Sequence, residues 1–192
     1  MNSIVIFEII LVVSAFISLL LMRRTYFPMN LFWGVGVVSI GLTAILGAFV
    51  YGGFNGIKPY HDLATTYAGS IGIVSFTLAA VGGVLAQPFH RAGWWIVLIA
   101  ITGLSAVLLF DTWRLSEEVR YGVVAVLGLA GLYRGVTQPN PGIFLLIGVV
   151  ALVAAGLVSG WIAMQVGMDR INVYHLLLSV SILSFGTFAA KE

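Results

Sequence analysis

Polar side chains that could bind a ligand occur at the start of two apolar segments and inside a third. The segment "PYHDLATTYAGS" contains His61 and Asp62, and the segment "MDRINVYH" contains Tyr174 and His175. Glu8 lies inside the first apolar run, roughly 7 Å below its start at about 1.5 Å per helical residue. Imidazole, carboxyl and phenol groups can bind a polar ligand, exchange protons or coordinate a metal. These residues are therefore the first candidates for a functional site.

The composition indicates that these groups are carried by a membrane protein. Of the 192 residues, 60% are hydrophobic and only 8% are charged, and the mean hydropathy is +1.09. A soluble domain carries about 25% charged residues, so the bilayer must be the solvent of this chain. The absence of cysteine excludes disulfides and thiolate metal sites. The few basic residues are scattered, which argues against a nucleic-acid surface.

Seven apolar runs predict the fold. A helix needs about 20 mostly apolar residues to cross a bilayer. We predict an all-α, polytopic seven-helix transmembrane bundle, forming one domain over residues 1–192, with spans at 3–22, 29–51, 62–87, 94–110, 117–134, 142–165 and 172–190. Proline ends helices, and all five prolines fall between these runs: Pro28, Pro59, Pro88, Pro139 and Pro141. Span five is the weakest, because only residues 121–133 lie between its charged ends; without it the later topology inverts.

The basic residues give an orientation. Arg23 and Arg24 follow the first run, which argues for a retained first helix ending in the cytoplasm rather than a signal peptide. The N-terminus is then outside and the C-terminus cytoplasmic. The inner side would hold one more basic residue than the outer side: Arg23, Arg24, Arg91, Arg134 and Lys191 against Lys58, Arg114, Arg120 and Arg170. Trp33, Trp94, Trp95 and Trp113 lie near span ends, as expected of interfacial belts. We expect a multi-pass protein of a bacterial inner membrane.

This topology brings polar groups from distant spans to the outer face. Glu8 should face the bundle and contact span three or seven, because a charge facing lipid is costly. Ser179, one turn below His175, should share its face. The predicted ligand-binding residues are Glu8, Tyr51, His61, Asp62, Tyr174, His175 and Ser179. Asp111, Glu117 and Glu118 belong to the polar loop "DTWRLSEEVR" and are expected to be solvated. His90 falls on the opposite side and is assigned to a loop.

Each of these candidates could also have a purely structural role. His61 and His175 could be solvated in the headgroup layer, where polar tips of amphipathic side chains often lie. Asp62 could be an acid that interacts with a helix N-terminus. Glu8 could be paired only to hold helices together. The sequence leaves these alternatives open.

A metal site is a further possibility. Zinc binds imidazole nitrogens and carboxylate oxygens, and catalytic sites use three protein ligands and a water. His175, His61, Glu8 and Asp62 would supply enough ligands. No local two-ligand motif supports the assignment.

Two short motifs resemble a known superfamily. Span two ends in "GAFVYGG", and the last span opens with "NVYHLLLSVSILSFG". With seven helices and an outward N-terminus, the chain resembles the alkaline ceramidase and adiponectin-receptor-like superfamily and its uncharacterised bacterial relatives. The resemblance implies zinc held by one histidine in the second helix and a His-x-x-x-His pair in the last. Here span two has no histidine and Ser179 follows His175, so only His175 carries over.

Small residues indicate how the spans pack. Span six carries Ala151, Ala155, Ser159 and Ala163 at four-residue spacing, which lets helices approach closely within the chain or between copies. The leading hypothesis for function is the binding of a small molecule or lipid in the outer pocket, with metal-assisted hydrolysis of a lipid amide or ester as its enzymatic form. The alternatives are a small transporter or proton pathway, and a non-catalytic subunit or assembly partner of a membrane complex.

Overall fold

The structure, a computed structural model, describes residues 3–85, 91–110 and 114–192. Pro88, His90, Asp111 and Trp113, assigned above to loops and span ends, lie outside these residues. Within the described ranges the chain is helical, with the order α1 Ser3–Met22, α2 Met29–Tyr51, α3 Lys58–Tyr67, α4 Ile73–Leu85, α5 Arg91–Phe110, α6 Glu117–Thr137, α7 Pro139–Leu157, α8 Ser159–Val166 and α9 Arg170–Lys191. A short 3₁₀ turn, Asn55–Ile57, precedes α3, and a π-helical turn, Ala68–Gly72, joins α3 to α4.

The helices agree with an all-α, multi-pass membrane protein. In the described part of the chain, six helices are long and apolar enough to cross a membrane: Ser3–Met22, Met29–Tyr51, Asn55–Val84, Glu117–Thr137, Pro139–Leu157 and Arg170–Lys191. The fifth predicted span corresponds to α6, which is among these six. The fourth predicted span corresponds to α5, Arg91–Phe110, whose residues Gly93–Leu108 are an apolar helical stretch. The sixth predicted span is divided between α7 and α8.

The last helix lies at the centre of the contacts. α9 packs against α1, α7, α8 and α2, while α2 also packs against α1, α3 and α4. Successive spans run in opposite directions, so the bundle has two ends. We call the end that contains Ser3, Tyr51 and Arg170 the pocket end. The end that contains Met22, Met29 and Lys191 is called the ion-pair end.

Small and hydroxyl residues hold the central helices together. Ala151, Ala155, Ser159 and Ala163 are all buried, so this predicted small-residue face packs inside the chain. The hydroxyl oxygen of Ser18 lies 2.8 Å from the carbonyl oxygen of Ile182, and Ser181 donates to the carbonyl of Gly148 at 2.8 Å. Such bonds can join helices where lipid provides no hydrophobic drive between them. They attach α9 to α1 and α7.

Four large aromatic residues fill the half of the bundle nearer to the ion-pair end. Trp33, Phe76, Phe185 and Phe188 are fully buried. The Phe76 and Phe185 ring centroids are 4.9 Å apart, and Trp33 lies 5.4 Å from Phe185. Aromatic rings at such separations attract one another beyond the area that they bury. We call these four residues the aromatic layer; it lies between the pocket end and the Arg134 side chain.

Candidate functional site

A polar pocket of about 350 Å³ lies at the pocket end. Side chains from α1, α2, α3, α6 and α9 line it, so residues far apart in the sequence meet in one place. Five of the seven predicted ligand-binding residues are among them: Glu8, Tyr51, His61, Tyr174 and His175. This volume is in the range of small-molecule sites.

Glu8 lies at the inner wall of this pocket. Its side chain is only 2% exposed, and its Oε1 atom is 3.4 Å from Nε2 of His175 on α9. The prediction that Glu8 faces the bundle and contacts span three or seven is therefore confirmed. The position follows from the helix, because α1 turns Glu8 and Leu11 to its buried face while Ile9 remains on the outside.

Gly47 on α2 makes room for the carboxyl group. A Cβ atom at this position would overlap the Glu8 carboxyl and would lie 3.2 Å from Nε2 of His61. Glu8 and His61 therefore both approach the backbone of α2 at Gly47, and His175 contacts the same Glu8 carboxyl group. One carboxyl group and two imidazoles, from three separate spans, form the centre of the site.

Two tyrosines flank the imidazoles. The rings of Tyr51 and His61 meet edge to face with centroids 6.1 Å apart, and those of Tyr174 and His175 meet in the same way at 5.6 Å. Both tyrosines line the pocket. The site is thus walled by four aromatic rings around one carboxyl group.

Two predicted site residues do not line the pocket. Asp62 has a side chain 58% exposed and forms an ion pair with Lys58 at 2.8 Å. The four-residue spacing places Lys58 and Asp62 on the same face of α3, which turns Asp62 toward solvent. Ser179 is buried and points inward, as expected, but its hydroxyl donates to the carbonyl of His175 at 2.9 Å. Its role is in the helix beneath the pocket.

Arg120 is a pocket residue that the sequence analysis did not select. The fifth span was predicted to begin at residue 117, and α6 does begin at Glu117, where the Ser116 side chain caps it by accepting from the amide of Val119. Arg120 lies in the first turns of this helix, where it reaches the pocket. Ser116 followed by two acids is a typical helix start, but the sequence has no signal for the face of α6 that meets the pocket.

A π-helical turn adjoins the site. Ala68 and Gly69, the first residues of the turn, line the pocket beside Thr65 on α3. Single π-turns inside α-helices are frequent at functional sites because they widen the helix and redirect its side chains. This feature has no signal in the hydropathy of the sequence.

The hypothesis of a metal site gains no support from the placement of possible ligands in the described residues. Among the residues that the structure describes, no group of three or more His, Cys, Asp or Glu side chains is placed to hold a metal ion. Asp62 is removed from the predicted set by its pairing with Lys58. The zinc site predicted from His175, His61, Glu8 and Asp62 therefore gains no support from the described residues and stays a prediction.

A larger cavity is lined mainly by apolar side chains. A groove of about 640 Å³ opens between α2, α3 and α5 and is lined mainly by Leu31, Val35, Val38, Leu42, Leu46 and Leu63. Tyr67 and Ser105 share a hydrogen bond of 2.9 Å at its wall. An apolar groove along membrane-spanning helices is a surface that lipid covers. Its size alone does not make it the functional site.

A second buried carboxyl group lies at the ion-pair end. Glu192 pairs with Arg134 on α6, and Arg134 also donates to Oε1 of Gln138 at 2.7 Å. Burial raises the pKa of Glu192, although the Arg134 charge acts against this shift. Burial also raises the pKa of Tyr26 to about 12, and the Glu192 carboxylate adds to the shift. The sequence pattern has no signal for this cluster.

The polar pocket is thus the better candidate for a functional site. A carboxyl group beside two imidazoles can accept hydrogen bonds from a ligand and exchange protons with it. The aromatic walls offer apolar and π surfaces, and Arg120 adds a permanent positive charge. Comparison of the chain with protein-family models, curated proteins and solved structures gave no match.

Proposed function

We propose that this protein binds a small molecule or a lipid headgroup in the polar pocket. The observation that carries the proposal is the meeting of Glu8, His61 and His175 from three distant spans in one cavity. Ionisable side chains are rare in membrane spans, and where they occur they usually have a function. A site needed only for helix packing would not require a cavity beside these groups.

The orientation of the pocket is part of the proposal. Arg23 and Arg24 follow α1 at the ion-pair end, and positive residues favour the cytoplasm. The pocket would then open on the outer face of a bacterial inner membrane. Compartment-sensitive reporters fused next to Ser3 and next to Lys191 test this orientation. Reporter signals from the same side for both fusions, or a cytoplasmic signal at Ser3, would contradict it.

The relation to the alkaline ceramidase and adiponectin-receptor-like superfamily also remains a proposal. It rests on the sequence of α9 around His175 and on the helical architecture. Because the described residues lack a metal-ligand group, metal-assisted hydrolysis has little support in the pocket. Binding is the part of the hypothesis that the geometry favours.

The other two hypotheses have weaker support. For a transporter, the aromatic layer of Trp33, Phe76, Phe185 and Phe188 would close the path below the pocket. For a subunit that associates through small residues, the face of span six is already buried inside the chain. Gly156 has open space around it, so contact with another copy or a partner could still involve that side of α7.

Native mass spectrometry of the purified full chain tests binding. The wild-type protein should retain a small molecule or a defined number of lipids after detergent exchange. Glu8→Gln should lose this species, because the carboxyl group is central to the pocket. Glu118→Gln, a change at an exposed acid at the same end, is the matched control and should keep it.

Two results would contradict the proposed function. One is a wild-type spectrum with no retained species under conditions where the protein stays folded. The other is equal retention by the wild type, Glu8→Gln and Glu118→Gln, which would indicate lipid bound elsewhere on the bundle.

A further inference from the structure

Acidic and basic groups occupy different depths of the polar pocket. Glu8 is the carboxyl group at the inner wall, and Arg120 on α6 is a guanidinium whose side chain is 38% exposed. Asp62, the acid next to the pocket residue His61, is turned outward to Lys58. Apart from histidines and tyrosines, Glu8 and Arg120 are the ionisable residues that line the pocket in the part of the chain that the structure describes.

Glu8 lacks a permanently positive partner among the described residues around it. The groups that surround its carboxyl are the His175 and His61 imidazoles and the backbone at Gly47. A carboxylate out of water needs a positive charge or good hydrogen bonds. A ligand ammonium group would supply both.

The walls around Glu8 also suit an ammonium group. Tyr51 and His61 form one edge-to-face pair, and Tyr174 and His175 form the other. Aromatic rings attract cations through their negative faces, and cages of such rings recognise ammonium ligands. A buried carboxyl group inside an aromatic wall is therefore a combination that favours a cation.

Arg120 is suited to the opposite end of such a ligand. Its nearest carboxylate, Glu117, is 3.7 Å away with a side chain 74% exposed, and pairs of this kind contribute little. A guanidinium binds phosphate and carboxylate oxygens through parallel hydrogen bonds. It can leave Glu117 for an anionic group at the pocket mouth at small cost.

We propose that the ligand is a zwitterion, with an ammonium group at Glu8 and a phosphate or carboxylate at Arg120. This inference rests on the proposed function, since it names the chemical class of the molecule in the same pocket. A soluble aminoalkyl phosphate and the headgroup of a zwitterionic phospholipid share this chemistry. The two sources differ in whether an acyl chain is needed.

The test uses the full chain in nanodiscs made only of phosphatidylglycerol, so that the bilayer does not itself supply a zwitterion. The probes are phosphoethanolamine, ethanolamine and glycerol phosphate, together with the lysophospholipids of ethanolamine and glycerol. Affinities are measured by titration calorimetry for the wild type, Glu8→Gln, Arg120→Gln and the Glu118→Gln control. The zwitterionic probe should bind at least about ten-fold more tightly than either single-charge probe, because two charge-assisted contacts act together.

The variants should separate the two contacts. Glu8→Gln should lower the affinity for both the zwitterion and ethanolamine. Arg120→Gln should lower the affinity for the zwitterion but leave the affinity for ethanolamine unchanged. Arg120 lies at the mouth, so its variant should fold even if Glu8→Gln does not. Binding of phosphoethanolamine indicates a soluble ligand; binding of the ethanolamine lysophospholipid alone indicates a lipid headgroup.

The inference can fail separately from the proposed function. Equal affinity for the zwitterion and its two halves, or binding of the zwitterion that neither variant changes, would overturn the inference. If none of the probes binds while native mass spectrometry still detects a species that depends on Glu8, the inference falls and the binding function stands. If no species is retained either, both fall.

Discussion

Each end of the bundle buries one carboxyl group, and the two carboxyl groups have different neighbours. At the ion-pair end, Glu192 pairs with Arg134, and the protein itself supplies the opposite charge. At the pocket end, Glu8 has imidazole neighbours and a cavity of about 350 Å³ beside it. The first arrangement is self-contained and joins the end of α9 to α6. The second leaves room for a partner from outside the chain.

The aromatic layer separates these two arrangements. Phe188 lies under the guanidinium of Arg134, whose Cζ is 5.8 Å from the ring centroid, and Phe185 lies one turn nearer to the pocket. A polar route between Glu8 and Glu192 would have to pass the packed rings. In terms of the proposed function, the pocket end is a binding end and the ion-pair end is a locking end that holds α9 to α6.

The largest effect is expected from breaking the ion pair. Arg134→Met removes the charge that compensates Glu192, and an uncompensated buried charge typically costs about 3–5 kcal/mol. The free energy of unfolding in detergent, measured by denaturant titration, should fall by this amount. The double variant Arg134→Met with Glu192→Gln should recover part of the loss, because no charge then remains buried.

A matched control lies at the same end. The ammonium of Lys191 is 4.3 Å from the ring centroid of Phe144 on the bundle surface. Lys191→Met should cost no more than about 1 kcal/mol, since exposed cation–π contacts are weak. If Arg134→Met is no more destabilising than Lys191→Met, the pair of Arg134 and Glu192 does not stabilise the packing of α9 against α6.

A smaller effect is expected at Glu8. Glu8→Lys places an ammonium beside two imidazoles within a membrane span and should cost about 3 kcal/mol. Glu8→Gln keeps the shape and a hydrogen-bonding group, so its free energy of unfolding should stay within about 1 kcal/mol of wild type. The same denaturant titration measures both. A Glu8→Gln loss as large as that of Arg134→Met would mean that Glu8, too, is a structural lock.

The depth of a residue along a single helix could be predicted from the sequence. Helix rise places Glu8 just over one turn into α1, and a charge facing lipid is costly, so the burial of Glu8 was predictable. The i, i+4 spacing of Lys58 and Asp62 was also readable, and would have removed Asp62 from the site. The pairing of Arg134 with Glu192, 58 residues apart, was not readable, because it depends on how α6 and α9 pack.

Helix boundaries were predicted unevenly. The fifth span was predicted to begin at residue 117, where α6 begins, but Arg120 was not selected because the face of α6 that meets the pocket depends on packing. This weak span proved long enough to cross a membrane, since charges near its ends do not shorten a helix. The division of span six at Val158 and the π-turn at Ala68–Gly72 depend on local backbone geometry, for which hydropathy has no signal.

The third prediction concerns close approach at the pocket. Gly47→Ala would push a methyl group into the Glu8 carboxyl, and overpacking of this kind typically costs about 1–3 kcal/mol. Gly34→Ala, on the same helix but with open space around it, is the control. It should be neutral or should stabilise by about 0.5–1 kcal/mol, as alanine does in a helix. Equal effects of the two changes in thermal unfolding would contradict the packing of Glu8 against α2.

The smallest expected effect is a pH dependence of the free energy of unfolding that comes from Tyr26 at the ion-pair end. In the unfolded chain the Tyr26 phenol ionises at its ordinary pKa near 10. In the folded protein, burial and the Glu192 carboxylate raise the pKa of Tyr26 to about 12. Between these values the native state keeps a proton that the unfolded state has lost. The contribution of Tyr26 to stability is therefore complete below about pH 10 and is lost as the pH rises toward 12.

Tyr26→Phe isolates this contribution from the other tyrosines. Thermal unfolding of the wild type and Tyr26→Phe, followed from pH 9 to pH 12, should give curves whose separation is constant up to about pH 10 and then changes, with the wild type losing stability faster. Tyr60→Phe is the control, because Tyr60 is exposed at the pocket end and should leave the wild-type slope unchanged. Parallel curves for wild type and Tyr26→Phe over the whole range would mean that the Tyr26 phenol is not held against Glu192 in the folded protein. The cluster that closes the ion-pair end would then not include Tyr26.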